Sequence, residues 1–216
     1  IVIVFVVAKN EWLYGKFWRE RRRQKEEMER MGCIISHPAN DILKCTGRLR
    51  AGAYHIDGSV SSQFITGLLY AAALMDGESR IRVTGRLESE PYVTMTQKAL
   101  GCFQVDTTDF HIKGSFPFHT PGELQVEGDW SNAAFFLTAA ALGHDLSVYN
   151  LDLASSQGDR IIADILTTDS ENIMISAADI PDLIPILAVY FASKHGATFT
   201  DIARLRLKES DRVASI

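Results

Sequence analysis

The stretch Tyr54-His-Ile-Asp-Gly-Ser-Val-Ser-Ser-Gln-Phe64 decides the fold, because it joins a strand signal to a helix signal through a glycine turn. Tyr54 to Asp57 has the composition of a strand end, Gly58 marks the turn, and a helical run extends from Ser59 to Met75. Another strand is predicted at Arg80 to Thr84. The segment therefore predicts a strand, a helix and a strand in succession, the core of a βαβα unit.

Two further units of the same kind are predicted along the chain. In each, a strand signal leads into a helix and then into another strand. In the second unit these three elements lie at 124–127, 129–142 and 146–149, and in the third unit at 175–182, 183–193 and 198–200. Second helices are expected to start near Ser89, Ser155 and Leu207. The helical runs at 64–75 and 133–142 are apolar on nearly all sides, so we expect them to be buried inside their units.

The part of the chain before the first unit carries different signals. β-Branched and aromatic residues at 1–8 predict a buried strand, and residues 18–31 predict a helix that ends at Gly32. Basic side chains in this helix are interleaved with glutamates. This pattern favours a solvated helix face over an RNA-binding helix.

The composition is that of a globular protein, and it argues against several classes of partner. Of the 216 residues, 46% are hydrophobic and 23% are charged, and 22 Lys and Arg against 27 Asp and Glu give a net charge of −5. This balance argues against a general nucleic-acid or anionic-membrane binder. The longest apolar runs are too short to span a bilayer. Any anionic ligand must therefore be held by local basic residues.

Neither the cysteines nor the histidines have the spacing of a metal site or a disulfide framework. Cys33, Cys45 and Cys102 stand far apart without a CxxC pair, which favours a reducing, cytosolic compartment. The six histidines lack metal-ligand spacing. The sequence also lacks the dinucleotide and P-loop signatures. These observations indicate neither zinc nor a nucleotide cofactor.

Four polar side chains crowd the predicted start of the first long helix: Ser59, Ser61, Ser62 and Gln63. Free backbone N–H groups and the helix dipole favour an anion at such a turn. Helix capping alone needs only one serine. An anion-binding turn is therefore favoured over a simple N-cap.

Cationic residues cluster in Arg204-Leu-Arg-Leu-Lys-Glu-Ser-Asp-Arg212. If Lys208 starts a helix, Lys208 and Arg212 lie four residues apart on one face and form a clamp for phosphate or carboxylate. Glu209 beside them is a potential acid or base whose pKa the cations would depress. Spacing alone favours the alternative, an ion-pair network on the surface.

Polar residues also stand at the heads of other predicted helices. Capping the third long helix is the simplest role for Asp182, although the equivalent turns of the other two units also carry polar groups. Ser89 and Tyr92 open a second helix and could bind a ligand hydroxyl or cap that helix. The Asp-Trp-Ser-Asn stretch at 129–132 resembles an N-cap more than a site.

Six strings carry a family resemblance: Asp57-Gly-Ser-Val-Ser-Ser-Gln-Phe64, Ser89-Glu-Pro-Tyr92, Val126-Glu-Gly-Asp129, Gln157-Gly-Asp159, Ile180-Pro-Asp182 and Leu207-Lys-Glu-Ser-Asp-Arg212. In this order they resemble the 5-enolpyruvylshikimate-3-phosphate (EPSP) synthase family, the 3-phosphoshikimate 1-carboxyvinyltransferases. The resemblance implies an α/β fold of repeated βαβα units with buried helices and outer sheets. It further implies that these units form part of a two-lobed inside-out α/β barrel.

The same resemblance implies transfer of the enolpyruvyl group of phosphoenolpyruvate to the 5-hydroxyl of shikimate 3-phosphate, with release of phosphate. This is a shikimate-pathway step toward chorismate and aromatic amino acids, and the family uses neither metal nor organic cofactor. Asp182 would be the base, Glu209 would exchange a proton at the methylene carbon, and Arg212 would bind phosphoenolpyruvate. The residues implied to hold shikimate 3-phosphate are Ser61, Ser62, Gln63, Ser89 and Lys208, with Tyr92 nearby, and Lys208 also assists at the reacting centre. Asp182 and Arg204 are further residues expected to bind substrate.

The resemblance divides the chain into a partial N-terminal lobe segment at 1–46, a further N-terminal lobe unit at 47–125 and part of a C-terminal lobe at 126–216. Several family segments, among them its Lys-Ser and Asp-His-Arg strings, have no counterpart here. The alternatives are therefore a non-catalytic fragment that binds shikimate 3-phosphate only, and a split enzyme completed by other chain segments. The Ser-Ser-Gln and Lys-Glu-Ser-Asp-Arg strings favour shikimate 3-phosphate over UDP-N-acetylglucosamine, the acceptor of the sister transferase.

Overall fold

The computed structural model describes residues 4–6, 22–39, 42–114, 118–168, 170–208 and 210–216. They divide into two compact units. The first unit combines the chain up to Glu88 with Thr96–Gly122, and the second combines Ser89–Met95 with Glu123–Ile216.

Within its described residues, the first unit contains two small sheets and three helices. Its elements in chain order are β1 (Val4–Val6), α1 (Arg22–Arg30), β2 (Cys33–Ala39), β3 (Ile42–Gly47), β4 (Ala53–Asp57), α2 (Ser62–Leu74), β5 (Gly77–Thr84), most of α3 (Glu90–Cys102), a 3₁₀ turn (Thr108–Phe110) and β6 (His111–Gly114). One sheet has the antiparallel order β1-β3-β2. In the other, β4-β5-β6, strands β4 and β5 are parallel and β6 is antiparallel to β5.

Helix α2 covers the β4-β5-β6 sheet through one face. Its buried residues include Ile65, Leu68 and Leu69, which recur at helical spacing. At the end of β6 the chain approaches the end of α2 so closely that a Cβ on Gly114 would overlap the carbonyl oxygen of Met75. Only glycine fits this contact between helix and sheet.

Within its described residues, the second unit is mainly helical and has one small sheet. It contains the start of α3, α4 (Trp130–Ala141), a 3₁₀ turn (Gly158–Ile161), α5 (Ile162–Ile165), β7 (Met174–Ser176), α6 (Ile184–Ala192), β8 (Thr198–Thr200), a 3₁₀ helix (Ile202–Leu207) and α7 (Arg212–Ser215). Strands β7 and β8 are parallel. Its core is a cluster of buried apolar side chains that includes Trp130, Ile162, Leu183, Leu187 and Leu205.

The first and third predicted units are confirmed as β4-α2-β5-α3 and β7-α6-β8, although several boundaries differ by a few residues. The strands predicted at 124–127 and 146–149 are wrong, because the described chain has no strand at either place. One backbone hydrogen bond joins the chain just after these two segments: Gly128 N donates to Asn150 O at 2.8 Å. Strand pairing needs several such bonds in register, and both segments are largely exposed.

The expectation that α2 and α4 are buried inside their units is wrong for one face of each helix. Helix α4 packs through Trp130, Ala133 and Ala134, whereas Phe135 and Phe136 are 55% and 57% exposed. A helix that is apolar on all sides can be buried on every side only if neighbours surround it. The described residues do not cover the face that carries Phe135 and Phe136.

The chain before the first repeat unit agrees in part with its predicted elements. Helix α1 lies within the predicted helix and is followed by Gly32, whose φ of +110° a side chain rarely adopts. The strand predicted at 1–8 is described only as β1, and residues 18–21 lie outside the described residues. The hairpin of β2 and β3 was not predicted. None of the described helices is long and apolar enough to cross a membrane.

Candidate functional site

Asp182 is the centre of a cluster of polar side chains in the second unit. The Tyr92 hydroxyl donates a 2.7 Å hydrogen bond to its Oδ2, and Arg212 Nη1 donates one to its Oδ1. Lys208 Nζ lies 3.7 Å from the same Oδ1. The interpretation of Asp182 as a helix cap is wrong: Leu183 is the N-cap residue of α6, and that cap has no side-chain hydrogen bond.

Lys208 and Arg212 meet at Asp182, but not through the helix that the spacing predicts. Lys208 is extended, with φ −76° and ψ −169°, at the end of a 3₁₀ helix, and α7 begins only at Arg212. The prediction that Lys208 starts a helix is therefore wrong. Both cations nevertheless reach one carboxylate, and Arg212 also donates to the Pro181 carbonyl at 3.1 Å.

The alternative interpretation, an ion-pair network on the surface, describes a neighbouring pair of side chains and not Lys208 and Arg212. Arg206 pairs with Asp211 at 3.1 Å on the exposed side of this segment. The side chains of Lys208 and Arg212 are instead largely shielded from solvent. Their charges are therefore screened less than those of an exposed pair.

The surroundings of Asp182 keep it ionised and Tyr92 neutral. Burial alone would raise the pKa of Asp182, but hydrogen bonds from Tyr92 and Arg212, with the charge of Lys208, hold the pKa of that carboxyl below its ordinary value. Burial, together with the charges of Asp159 and Asp182, raises the pKa of Tyr92 well above its ordinary value. The cluster thus presents an ionised carboxylate, two cations and a phenol that donates its proton.

Ser89 holds a strained backbone conformation at the start of α3. Its φ of 54° lies in the left-handed region, which for a non-glycine residue costs on the order of 1 kcal/mol or more. A backbone hydrogen bond holds this conformation: Ser89 N donates to the carbonyl oxygen of Ala178 at 3.2 Å. Arg204 Nη1 donates a hydrogen bond to Ser89 Oγ at 3.1 Å. The strain therefore accompanies a buried contact between a hydroxyl and a guanidinium.

A second carboxyl, Asp159, belongs to the same group of residues and was missed by sequence reasoning. It is 3% exposed, and its Oδ2 is hydrogen-bonded to Ser131 Oγ. The expected N-cap role of this turn is confirmed for Asp129, whose Oδ1 accepts from Ser131 N at 2.8 Å. The Ser131 side chain, however, faces Asp159. The only sequence signal was the Gln-Gly-Asp string at 157–159.

The predicted anion-binding turn lies in the first unit, at the start of α2. Ser61 is the N-cap residue, and its Oγ accepts from Gln63 N at 3.3 Å. Ser62 is buried and Gln63 is exposed. The Ser59 hydroxyl donates to Asp57 Oδ1 at 2.6 Å, so it serves a turn rather than the helix terminus. Capping by Ser61 is confirmed, and anion binding at this turn stays a prediction.

The remaining predicted residues separate by position. Ser89, Tyr92, Asp182, Arg204, Lys208 and Arg212 belong to the second unit, and Ser61, Ser62 and Gln63 to the first. Glu209 lies outside the described residues. Within the described ranges there is no group of three His, Cys, Asp or Glu side chains that could hold a metal ion.

Comparison with known proteins supplies the family. The model of the EPSP synthase family, 3-phosphoshikimate 1-carboxyvinyltransferase, matches residues 26–216. The chain belongs to the EPSP synthase family. It is 40% identical to the 3-phosphoshikimate 1-carboxyvinyltransferase of Clostridium kluyveri, covering 81% of this chain and 46% of that protein. It is 41% identical to the protein of the same name from Methanocorpusculum labreanum, covering 79% and 45%.

The fold is that of the enolpyruvyl transferases. The enolpyruvyl transferase NikO from Streptomyces tendae superposes with a TM-score of 0.58, covering 92% of this chain and 53% of that one at 14% sequence identity. The α/β class predicted from the family resemblance is therefore confirmed. This EPSP synthase family chain spans about half the length of the curated relatives that it matches.

Proposed function

We propose that this chain carries part of the site at which an EPSP synthase transfers the enolpyruvyl group of phosphoenolpyruvate to the 5-hydroxyl of shikimate 3-phosphate and releases phosphate. The observation that carries this proposal is the convergence of Tyr92, Lys208 and Arg212 on the ionised Asp182. Membership of the family supports the choice of substrates. The assignment of residues 1–125 and 126–216 to the two lobes is part of the same proposal.

In this proposal Asp182 is the general base. Its lowered pKa keeps it ionised near neutral pH, so it is able to accept the proton of the 5-hydroxyl while that oxygen attacks the C2 carbon of phosphoenolpyruvate. The methylene carbon takes up a proton in the same addition. Loss of that proton with phosphate then restores the double bond. Glu209 is the family's candidate for the proton exchange at the methylene carbon.

The cations supply the complementary charge for two anionic substrates. Lys208 and Arg212 already lie against a carboxylate, so a phosphate or carboxylate of the substrates is able to share or replace that contact. Arg212 is proposed for phosphoenolpyruvate and Lys208 for shikimate 3-phosphate and the reacting centre. The remaining proposed shikimate 3-phosphate ligands are Ser61, Ser62, Gln63, Ser89, Tyr92 and Arg204.

We propose the cytosol as the location of this reaction. Cys33, Cys45 and Cys102, all of which lie within the described residues, form no disulfide. This agrees with a reducing compartment. The expectation of a reaction without metal or organic cofactor rests on the family resemblance alone.

A binding-only role is the second candidate, because the sequence aligns with only part of its relatives. The matched region corresponds to 46% of the Clostridium kluyveri relative. Purified chain is titrated calorimetrically with shikimate 3-phosphate, and phosphate release is measured after phosphoenolpyruvate is added. Turnover supports the transferase, binding without turnover supports the fragment, and neither binding nor turnover contradicts both.

A further inference from the structure

Close packing of the backbone around Gly158 holds Asp159 in place below the protein surface. It follows Gly158, where a Cβ would lie 2.9 Å from the Asp179 carbonyl oxygen and 2.9 Å from Pro91 Cγ. Pro91 belongs to the first turn of α3, one residue before Tyr92. The glycine therefore lets the 3₁₀ turn carry a carboxyl group directly against the residues that surround Asp182.

Two features of this carboxyl favour its neutral form. Its Oδ1 is buried, and the described residues offer that oxygen no hydrogen-bond partner. An ionised carboxylate with an unpaired buried oxygen is costly, whereas a neutral acid is much less so. The facing charged groups are Asp182, Asp129 and Lys208, of which the two carboxylates disfavour ionisation and the lysine favours it. Burial, the largest influence, raises the pKa of Asp159 to about 6.

The hydroxyl of Ser131 connects Asp159 to Tyr92. Ser131 Oγ is hydrogen-bonded to Asp159 Oδ2, and the same hydroxyl forms a hydrogen bond with the Tyr92 phenol. Tyr92 in turn donates its own proton to Asp182 Oδ2 at 2.7 Å. All four residues belong to the second unit. They form one continuous chain of hydrogen bonds that ends on the carboxylate of Asp182.

Counting protons gives this chain a direction. Because the Tyr92 proton goes to Asp182, the phenol oxygen accepts the hydrogen bond from Ser131. A serine hydroxyl has a single proton, so Ser131 cannot also donate to Asp159. When Asp159 is protonated, the proton between Ser131 and Asp159 therefore comes from the carboxyl group. An ionised Asp159 would instead take the proton of Ser131, and the Ser131 hydroxyl would no longer donate to Tyr92.

We propose that Asp159 is a positioning residue for Asp182: as a neutral acid it donates to Ser131, Ser131 donates to Tyr92, and Tyr92 donates to Asp182. Ionisation of Asp159 turns the Ser131 hydroxyl toward Asp159. The Tyr92 hydroxyl is then able to donate to either Ser131 or Asp182. The relay itself is a property of the free protein. Its consequence for proton transfer rests on the proposed role of Asp182 as the base.

The relay is tested on the free protein by NMR, with carbon-13 at the Cζ of tyrosine and the Tyr92 signal identified through Tyr92→Phe. In the wild-type chain the Tyr92 signal is expected to shift with a midpoint near the ionisation of Asp159. Asp159→Asn, an uncharged isostere that still donates to Ser131, is expected to abolish that shift. Asp129→Asn changes a carboxylate in the same turn, keeps the N-cap, and is the matched control that retains it.

Ser131→Ala separates the relay from a direct effect of charge. It removes the connecting hydroxyl and leaves Asp159 in place, so the Tyr92 shift is expected to shrink several-fold. A flat Tyr92 signal in the wild-type chain, a shift that survives Asp159→Asn, or an unchanged shift in Ser131→Ala would each overturn the relay. None of these readouts uses a substrate, so a failed relay is distinguishable from a failed assignment of the transferase activity.

Discussion

At the scale of single residues, Asp182 pairs with the cationic side chains of Lys208 and Arg212. These two side chains are the candidate contacts for anionic substrates. We predict that Lys208→Ala and Arg212→Ala each weaken the binding of shikimate 3-phosphate or phosphoenolpyruvate by more than about 1 kcal/mol, roughly fivefold, because each removes a charge-assisted contact. Titration calorimetry measures the change. Arg206→Ala, which removes a cation paired with Asp211 on the exposed side, is the control. Unchanged affinity in both site variants would contradict the assignment.

Asp159 should also give the folding stability a distinctive dependence on pH. Its pKa is raised from 3.8 to about 6 in the folded protein, so its neutral form stabilises the fold below about pH 4, and this stabilisation is lost as the pH rises through about 6. The pKa difference corresponds to roughly 3 kcal/mol. Asp159→Asn cannot ionise and is expected to gain about that much relative to wild type between pH 4 and pH 8.

Urea unfolding at several pH values measures this difference. The contribution of Asp182 has the opposite sign, since its lowered pKa stabilises the fold above its unfolded pKa and that stabilisation is lost on acidification. It is present in both proteins, so to first order it cancels from the comparison. Free energies of unfolding that stay parallel for wild type and Asp159→Asn across the range would show that Asp159 is not preferentially neutral in the fold.

The site residues differ in how far the sequence alone could reveal them. Lys208, Arg212 and Asp182 stand out because their types and positions match a family pattern, although both local interpretations, a helix at Lys208 and a cap at Asp182, are wrong. Ser131 reads as part of a helix cap, since nothing local distinguishes its side chain from that of a capping residue. Its partner Asp159 is 28 residues away and is brought to it only by tertiary packing.

At the scale of elements, the start of α2 separates a structural role from a binding role. Ser61 caps this helix, and we predict that Ser61→Ala lowers the free energy of unfolding by about 1 kcal/mol. Ser61→Asn restores an N-cap acceptor and should recover most of that loss. Urea denaturation measures both variants. If Ser61→Ala is as stable as wild type, the cap contributes nothing measurable.

Predicted elements succeed where the signal is local and fail where distant pairing decides. Strand β8 matches its predicted bounds, and α4 differs from its prediction by one residue at each end, because turn and cap residues mark them. The hairpin of β2 and β3 was missed, since its seven-residue and six-residue strands alternate polar and apolar residues only weakly. The segments at 124–127 and 146–149 have strand-like composition, but among the described residues neither pairs as a strand.

At the scale of the whole molecule, the chain is acidic while its proposed ligands are anions. With a net charge of −5, the protein repels a phosphorylated substrate except near local cations such as Lys208 and Arg212, which meet at Asp182. We predict that raising the salt from about 0.05 M to about 0.5 M weakens the binding of shikimate 3-phosphate several-fold. Lys208→Ala should show a shallower dependence on salt in the same calorimetric series. Identical slopes would argue against a direct contact by Lys208.

At this scale, the chain is shorter than its curated relatives. It spans about half of its curated relatives, so catalysis by the chain alone and catalysis with complementary segments are both compatible with the same cluster around Asp182. What the two cases share is the requirement for the carboxylate. The central claim is therefore that Asp182 is the base, whichever segments complete the site.

The most direct test of that claim is the rate of phosphate release from shikimate 3-phosphate and phosphoenolpyruvate, with wild-type chain, Asp182→Asn and the exposed control Asp164→Asn, each with and without the complementary segments. We predict that Asp182→Asn lowers the rate at least about a hundredfold while calorimetry shows that shikimate 3-phosphate still binds. Asp164→Asn should retain the wild-type rate. Phosphate release by Asp182→Asn at the wild-type rate would contradict the account.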